Sequence, residues 1–383
     1  MGLQHDNATM AGTVRKHIVI SAVNIRKGGT LTVLRDCLDF LSKTDEFDVT
    51  AIVHKRSLVD FENISYIEVP WSVKSWFHRL WCEYITLRKI SRRLSRVDLW
   101  FSLHDTTPRI KADRQAVYCQ TSFPFMRIRP RDFLMNPKIP LFAMLTRFVY
   151  RINVRKNNYL VVQQQWFRDG LSGITGFPTG RIVVAPPDFQ LEVPKNNLIT
   201  PIPYFFYPSS PDCHKNFELL CEASKLLEEK VGKYKFKTVL TINGSENRYS
   251  RWLKNKWGKV DSIEFKGYLS KEDLKSFYGE ASCLVFPSRI ETWGLPVSEF
   301  KPCGKPMILA DLPYAHETST GALRVAFCEI DNAPRLAELM EEIVEENPVH
   351  FKPVPDIPKK KPYVVSWDEL FSLLTKDENP STR

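Results

Sequence analysis

Two glutamates with seven residues between them, Glu291 and Glu299, stand in the segment SRIETWGLPVSEFKPCGKP (288–306). The segment leaves the apolar run CLVFP (283–287), which reads as a parallel strand. It therefore starts at the carboxyl edge of a sheet, where α/β folds bind their ligands. Pro296 suits the first turn of a helix because the N–H it lacks would be orphaned there. Glu291 is then expected in the loop ahead of the helix and Glu299 about one turn inside it. The N–H groups of Trp293, Gly294 and Leu295 are left to meet an anion or a polar ligand. Carboxylates in those two places can accept hydrogen bonds from two sets of sugar hydroxyls. Surface solvation accounts for many glutamate pairs at this spacing. What sets this pair apart is Glu-Thr-Trp-Gly-Leu-Pro after an apolar strand and Gly-Lys-Pro before the next one.

With that package the chain resembles the retaining family 4 glycosyltransferases of GT-B fold, whose E-x7-E motif matches Glu291 and Glu299. The resemblance runs over nearly the whole chain and is strongest in residues 200–325. It implies that Glu299 holds the nucleotide ribose and that Glu291 contacts the donor sugar near its anomeric carbon. The amides of Gly294 and Leu295 would then meet sugar hydroxyls or the distal phosphate. YPSSPDCHKN (207–216) is similar to the family's diphosphate-binding element, and Lys215 would add a full charge to a helix N-terminus facing the leaving nucleoside diphosphate. Relatives often carry an arginine a few residues earlier; positions 209–214 contain none, and His214 is the basic side chain there. FKGYL (265–269) resembles the turn that reads the nucleobase edge, with Gly267 allowing close approach and Tyr268 or Leu269 packing on the base; a purely structural turn is the alternative. Gly28-Gly29 matches the glycine loop over the donor phosphates. On the acceptor side Gln120 stands where relatives commonly have histidine, so that position cannot serve as a base. His104 is the remaining polar candidate there, with a core or capping histidine as the alternative.

The elements that must position these residues follow an α/β alternation. HIVISAVN (17–24) is a largely apolar, continuous run of the kind found in parallel strands covered on both faces. The next helix places Leu31, Leu34, Leu38 and Leu41 on one side. Further strands are expected at 49–54, 99–104, 116–120, 159–163 and 181–186. A proline-rich linker covers 185–203, and a second alternation has strands at 204–208, 238–243, 262–269, 283–287 and 306–311. KPVPDIPKKKP (352–362) reads as an extended tether, and Trp367, Leu370 and Leu373 or Leu374 as one face of a last helix. The expectation is two Rossmann-like, doubly wound domains facing a cleft: residues 1–190, completed by a helix in 364–383, and residues 191–363.

The 383 residues carry a net charge of +10, and it is unevenly spread. Residues 1–200 hold 29 Lys/Arg against 17 Asp/Glu, and the remainder 25 against 27. Segments 71–97 and 127–156 contribute most of the excess. In the first, Trp76, Leu80, Tyr84, Leu87 and Ile90 recur at helical spacing beside Arg79, Arg88, Lys89, Arg92 and Arg93. A basic, tryptophan-bearing helix of this kind suits an anionic membrane surface, or is a core helix with a solvated side. No helix-turn-helix, RNP or zinc-knuckle pattern accompanies the charge, which argues against nucleic acid. No run of 18 apolar residues occurs, and the eight cysteines form no C-x-x-C pair, as befits the cytoplasm. The absence of D-x-D disfavours a metal-bridged donor site, so neither metal nor cofactor is expected.

The function these features imply is transfer of a sugar, with retention, from a nucleotide-diphosphate sugar to a lipid-linked glycan of a surface polysaccharide, at the inner face of the cytoplasmic membrane. A non-catalytic nucleotide-sugar-binding protein and a sugar-nucleotide epimerase are the rival readings. The epimerase normally needs an ionisable residue where Gln120 stands. A dinucleotide dehydrogenase is disfavoured because Arg26-Lys-Gly-Gly29 is not G-x-G-x-x-G.

Overall fold

The computed structural model describes residues 15–187 and 201–376. Most of the expected linker, the first fourteen residues and the last seven lie outside the described residues. Among the described residues, thirteen strands build two sheets. The first contains β1 (Lys16–Ala22), β2 (Phe47–Val53), β3 (Ile64–Glu68), β4 (Leu99–Ser102), β5 (Arg114–Tyr118), β6 (Tyr159–Val162) and β7 (Ile182–Val184), in the order β3-β2-β1-β4-β5-β6-β7. The second contains β8 (Tyr204–Tyr207), β9 (Lys237–Leu240), β10 (Ile263–Phe265), β11 (Cys283–Phe286), β12 (Met307–Ala310) and β13 (Val325–Cys328), in the order β10-β9-β8-β11-β12-β13.

The chain divides into two compact units. One holds residues 1–119, 155–160 and 367–383; the other holds residues 120–154 and 161–366. In the first, β1 pairs with β2 from Lys16↔Phe47 to Ala22↔Val53 and with β4 on its other side. The strand order thus reverses between β1 and β4. The helix Trp367–Thr375 belongs to this unit: Phe371 stacks on Phe40 at 5.9 Å and meets Phe101 edge-on at 5.9 Å. In the second unit the order reverses between β8 and β11, which pair through Cys283↔Phe205 and Leu284↔Phe206. Its core is aromatic, with Phe205, Phe206, Tyr207, Phe217, Tyr249, Trp257 and Tyr278 among the fully buried side chains.

Three features depart from the sequence expectations. β3 and β13 were not foreseen. Both stand at a sheet edge: β3 is largely uncovered, with Ser65 and Glu68 exposed, and lacks the continuous apolar run of a central strand, whereas β13 is apolar and mostly buried but only four residues long. The single helix expected over 76–90 is instead an α-helical segment Trp76–Trp81, a π-helical turn Cys82–Thr86 and a second α-helical segment Leu87–Arg93. The wider turn rotates the downstream face, so Trp76 and Leu80 are exposed while Leu87 is buried. The segment 352–362 is no free tether. Gln165 Nε2 and Arg168 Nη1 donate to the carbonyls of Pro358 and Lys360 at 3.1 and 2.8 Å, and the Lys360 amide donates back to Gln165 Oε1 at 2.7 Å.

Candidate active site

Reversal of strand order opens a crevice at the carboxyl edge of a doubly wound sheet, so the loops after β8 and β11 are where a ligand is expected. β8 ends at Tyr207, whose buried hydroxyl donates to the carbonyl of Lys215 at 2.6 Å. The chain closes a short 3₁₀ turn at Cys213–Lys215. It then passes through Asn216 in the left-handed conformation (φ 61°) and enters the helix Phe217–Val231. β11 ends at Phe286, and its loop runs to the helix Leu295–Phe300, with Pro296 in the first turn and Gly294 at φ 90° before it. Glu291 is in that loop and Glu299 one turn inside the helix. The two loops meet: Lys215 Nζ lies 2.5 Å from Glu291 Oε1, with both side chains about 15 % exposed.

Glu299 is held differently. The buried hydroxyl of Tyr278 donates to its Oε2 at 2.7 Å. Burial raises the Glu299 carboxyl above its ordinary value, against the Tyr278 hydrogen bond and the charge of Lys271. The motif loop is tied down on its other side. Thr292 Oγ1 donates to the carbonyl of Gln120 at 2.8 Å, and Gln164 Nε2 donates to the carbonyl of Trp293 at 3.5 Å. Gln120 therefore reaches the Glu291 loop through its backbone. The turn after β10 has Gly267 at φ 88°, and Tyr268 beside it is 91 % exposed.

The positive charge missing before Lys215 is not supplied by His214. That ring is buried edge-on against Phe123 at 5.0 Å, and burial, followed by the charges of Lys215 and Arg289, holds it well below its ordinary value, hence neutral. Two arginines from elsewhere in the chain flank the loop. Arg289, fully buried, forks onto Asp132, Nη2 to Oδ1 at 2.5 Å and Nη1 to Oδ2 at 3.1 Å. Its Nη2 also donates to the carbonyl of Cys213 at 3.1 Å, and its amide to the carbonyl of His214 at 2.8 Å. Arg129 donates to Asn216 Oδ1 at 3.3 Å and to the carbonyl of Ile330 at 3.2 Å. Sequence reading missed both. Arg289 stands two residues before Glu291, but its acidic partner is 157 positions away, and Arg129 reads as part of a basic surface segment.

In the first unit, Gly28 (φ 72°) precedes the helix Gly29–Ser42, which places the glycine pair at a helix start after β1. His104 follows β4 and is wholly buried. Its Nε2 bonds Ser21 Oγ and its Nδ1 bonds Thr106 Oγ1, each at 2.8 Å, and burial, then the charge of Arg79, pushes its pKa down to about 3. Thr106 in turn donates to the buried Glu83, which also accepts from Arg79 at 2.8 Å. Both ring nitrogens of His104 are thus engaged inside a buried polar network.

Two doubly wound parallel sheets, with two carboxylates and a lysine at the reversal point of the second, define the GT-B class of glycosyltransferase. Residues 188–355 match the family described as glycosyl transferases group 1, and the protein is a glycosyltransferase. The O-antigen chain mannosyltransferase RfbU of Salmonella typhimurium is 23% identical over 333 residues, 80% of this chain and 86% of that protein. Among solved structures, WaaG, a glycosyltransferase involved in lipopolysaccharide biosynthesis, superposes with a TM-score of 0.62 and 14% identity over 87% of this chain and 92% of its own. Anabaena HepE in complex with UDP-glucose does so with a TM-score of 0.58 and 13% identity over 86% and 90%.

Proposed function

We propose that the protein moves a hexose, with retention and without a metal, from a nucleoside-diphosphate sugar to a hydroxyl of a lipid-linked glycan in O-antigen or lipopolysaccharide synthesis. The Lys215–Glu291 pair at the reversal of the second sheet carries this reading. A donor lying there puts its diphosphate on Lys215, its ribose on Glu299 and its sugar on Glu291, with Gly294 and Leu295 amides alongside and the base near Gly267 and Tyr268. The bond from the anomeric carbon to the phosphate oxygen breaks, and its electron pair goes to the diphosphate. The acceptor oxygen bonds the same face of that carbon, and its proton passes to a diphosphate oxygen. Lys215 stabilises the charge that develops on the leaving group. RfbU, a mannosyltransferase of O-antigen chains, supports the substrate class.

The test is turnover with a panel of nucleoside-diphosphate hexoses, mannose donors included, and lipid-linked acceptors, with and without a chelator. Nuclear magnetic resonance then reads the new linkage. Expected is acceptor-dependent transfer, insensitive to chelation, with the donor's anomeric configuration kept. Donor consumed without any acceptor product favours the epimerase, and donor bound but unchanged favours a binding protein.

The same reading places the protein on the anionic inner face of the cytoplasmic membrane. No helix among the described residues is long and apolar enough to cross a membrane. The helix Lys138–Val149 in the second unit is turned inside out: it buries Pro140, Ala143 and Thr146 and leaves Leu141, Met144, Leu145 and Phe148 exposed at 50, 52, 60 and 62 %. Lys138, Arg147 and Arg151 are exposed beside them. In the first unit Trp76, Phe77 and Trp81 are exposed as well. Large apolar side chains beside cations suit the boundary between headgroups and acyl chains of an anionic leaflet. The protein should sediment with phosphatidylglycerol-containing vesicles far better than with neutral ones. Leu145→Gln/Phe148→Gln should weaken that binding about a hundredfold, since two such side chains contribute roughly 3 kcal/mol or more on leaving water. Equal sedimentation with both vesicle types would remove the anionic surface as partner.

A further inference from the structure

A cavity of about 510 Å³ lies in the second unit, within the usual range for small-molecule sites. It opens at the carboxyl ends of β12 and β13: Asp311 follows the last residue of β12, and Glu329 and Asp331 follow β13. None of Lys215, Glu291, Glu299, Gly294 or Gly267 lines it, so it is distinct from the donor site proposed above. It begins, however, one residue before Glu291 in the chain, at Ile290.

Its lining has two characters. Phe125 and Trp166 meet edge to face at 5.7 Å and give an apolar aromatic wall. The carboxylates of Asp311, Glu329 and Asp331 and the guanidinium of Arg127 provide hydrogen-bond acceptors and donors. A phosphate or nucleotide is a poor fit, because three acidic residues line the cavity beside Arg127; Asp311 is paired with His316 at 2.7 Å, and the other lining arginine, Arg289, is committed to Asp132. An acyl chain is also a poor fit, because filling the cavity with hydrocarbon would strip water from those charges. No group of acidic, histidine or cysteine side chains among the described residues is arranged to hold a metal ion. A neutral hexopyranose matches both characters, with C–H bonds on its faces for the aromatic wall and hydroxyls around its rim for carboxylates and arginine.

We propose that this cavity is a second sugar subsite, holding a hexose of the acceptor glycan set back from the residue that receives the new sugar. The proposal rests on the glycosyltransferase reading for the ligand's source. In consequence the enzyme recognises the growing glycan beyond its terminal hydroxyl, and long acceptors are used better than short ones. The donor's own hexose has the same chemistry, and the two sources separate experimentally.

Calorimetry on the full chain uses neutral trisaccharides of mannose, glucose, galactose and rhamnose in one arm, and UDP and GDP in the other. At least one trisaccharide should bind in the absence of donor. Glu329→Gln/Asp331→Asn, which preserves volume at exposed positions, should weaken that binding about tenfold or more and leave nucleoside-diphosphate affinity unchanged. In turnover the same variant should raise KM for the trisaccharide acceptor, with kcat and activity on a monosaccharide acceptor unchanged. No binding by any trisaccharide, unaltered affinity in the variant, or an equal loss for nucleoside diphosphates overturns the subsite. A wild-type protein that turns over no donor overturns the glycosyltransferase reading instead, while the trisaccharide titrations still decide what the cavity holds.

Discussion

Arg289→Met should destabilise the second unit by about 3–5 kcal/mol, as expected when one partner of a buried ion pair is removed and the other remains. The forked contact to Asp132 has both side chains essentially out of water, so the mutation strands a carboxylate in the interior. For a unit of this size the loss corresponds to a fall in melting temperature of about 10 °C. Asp132→Asn should cost less, because an amide keeps one oxygen for the guanidinium and adds no buried negative charge. Arg289→Met/Asp132→Leu should lie well above the sum of its single variants, since both charges leave together. Function should suffer along with stability. Arg289 also holds the carbonyls of Cys213 and His214, so its loss frees the loop carrying Lys215 from the loop carrying Glu291. Denaturant titration reads the first effect and nucleoside-diphosphate calorimetry, at a temperature where the variant is folded, reads the second. An Arg289→Met protein within 0.5 kcal/mol of wild type would show that solvent or another cation satisfies Asp132.

That residue also marks where the sequence ceases to be readable. Glu291, Pro296 and Glu299 are placed by local rules: an apolar strand, a proline suited to a first helical turn, and a 3.6-residue repeat. The loop and helix they predict are the ones found. Lys215 follows instead from the resemblance of 207–216 to the family's diphosphate-binding element. The pairing of Lys215 with Glu291 spans 76 positions and that of Arg289 with Asp132 spans 157, and no local pattern encodes contacts so distant. His104 is a different case, because the core histidine weighed beside the chemical role is the one found. A histidine at a strand end looks available for chemistry, yet the interior closes over it and supplies Ser21 and Thr106 as partners. The helix Lys138–Val149 is a third case. Its apolar residues have helical spacing, but which side faces the protein depends on the small size of Pro140, Ala143 and Thr146, which allows the backbone to sit close. Central strands are legible because both faces are buried; the half-exposed edge strand β3 lacks that signature, and β13 carries it over only four residues.

Replacing either member of the Lys215–Glu291 pair should change donor handling in opposite directions. Lys215→Ala removes the cation proposed to meet the diphosphate. At roughly 2–4 kcal/mol for a charge-assisted contact in a shielded site, kcat/KM should fall about 30- to 1000-fold, with nucleoside-diphosphate affinity falling alongside. Glu291→Gln acts on the same lysine from the other side. In the free protein the carboxylate holds Nζ at 2.5 Å, so an arriving diphosphate must compete for it. The neutral amide releases that hold, and UDP or GDP should bind several-fold more tightly. Transfer should nevertheless drop, because the carboxylate assigned to the donor sugar is gone. Tighter nucleotide binding with slower turnover is a signature that misfolding does not produce. The double variant then measures the coupling: if the pair is as described, Glu291→Gln should have little effect on nucleotide affinity once Lys215 is alanine. Glu299→Gln serves as the contrast, since its expected partner is the ribose; it should weaken nucleotide binding whether or not Lys215 is present. If Glu291→Gln weakens UDP and GDP to the same extent as Glu299→Gln, Glu291 contacts the nucleotide itself, and the two glutamates exchange roles.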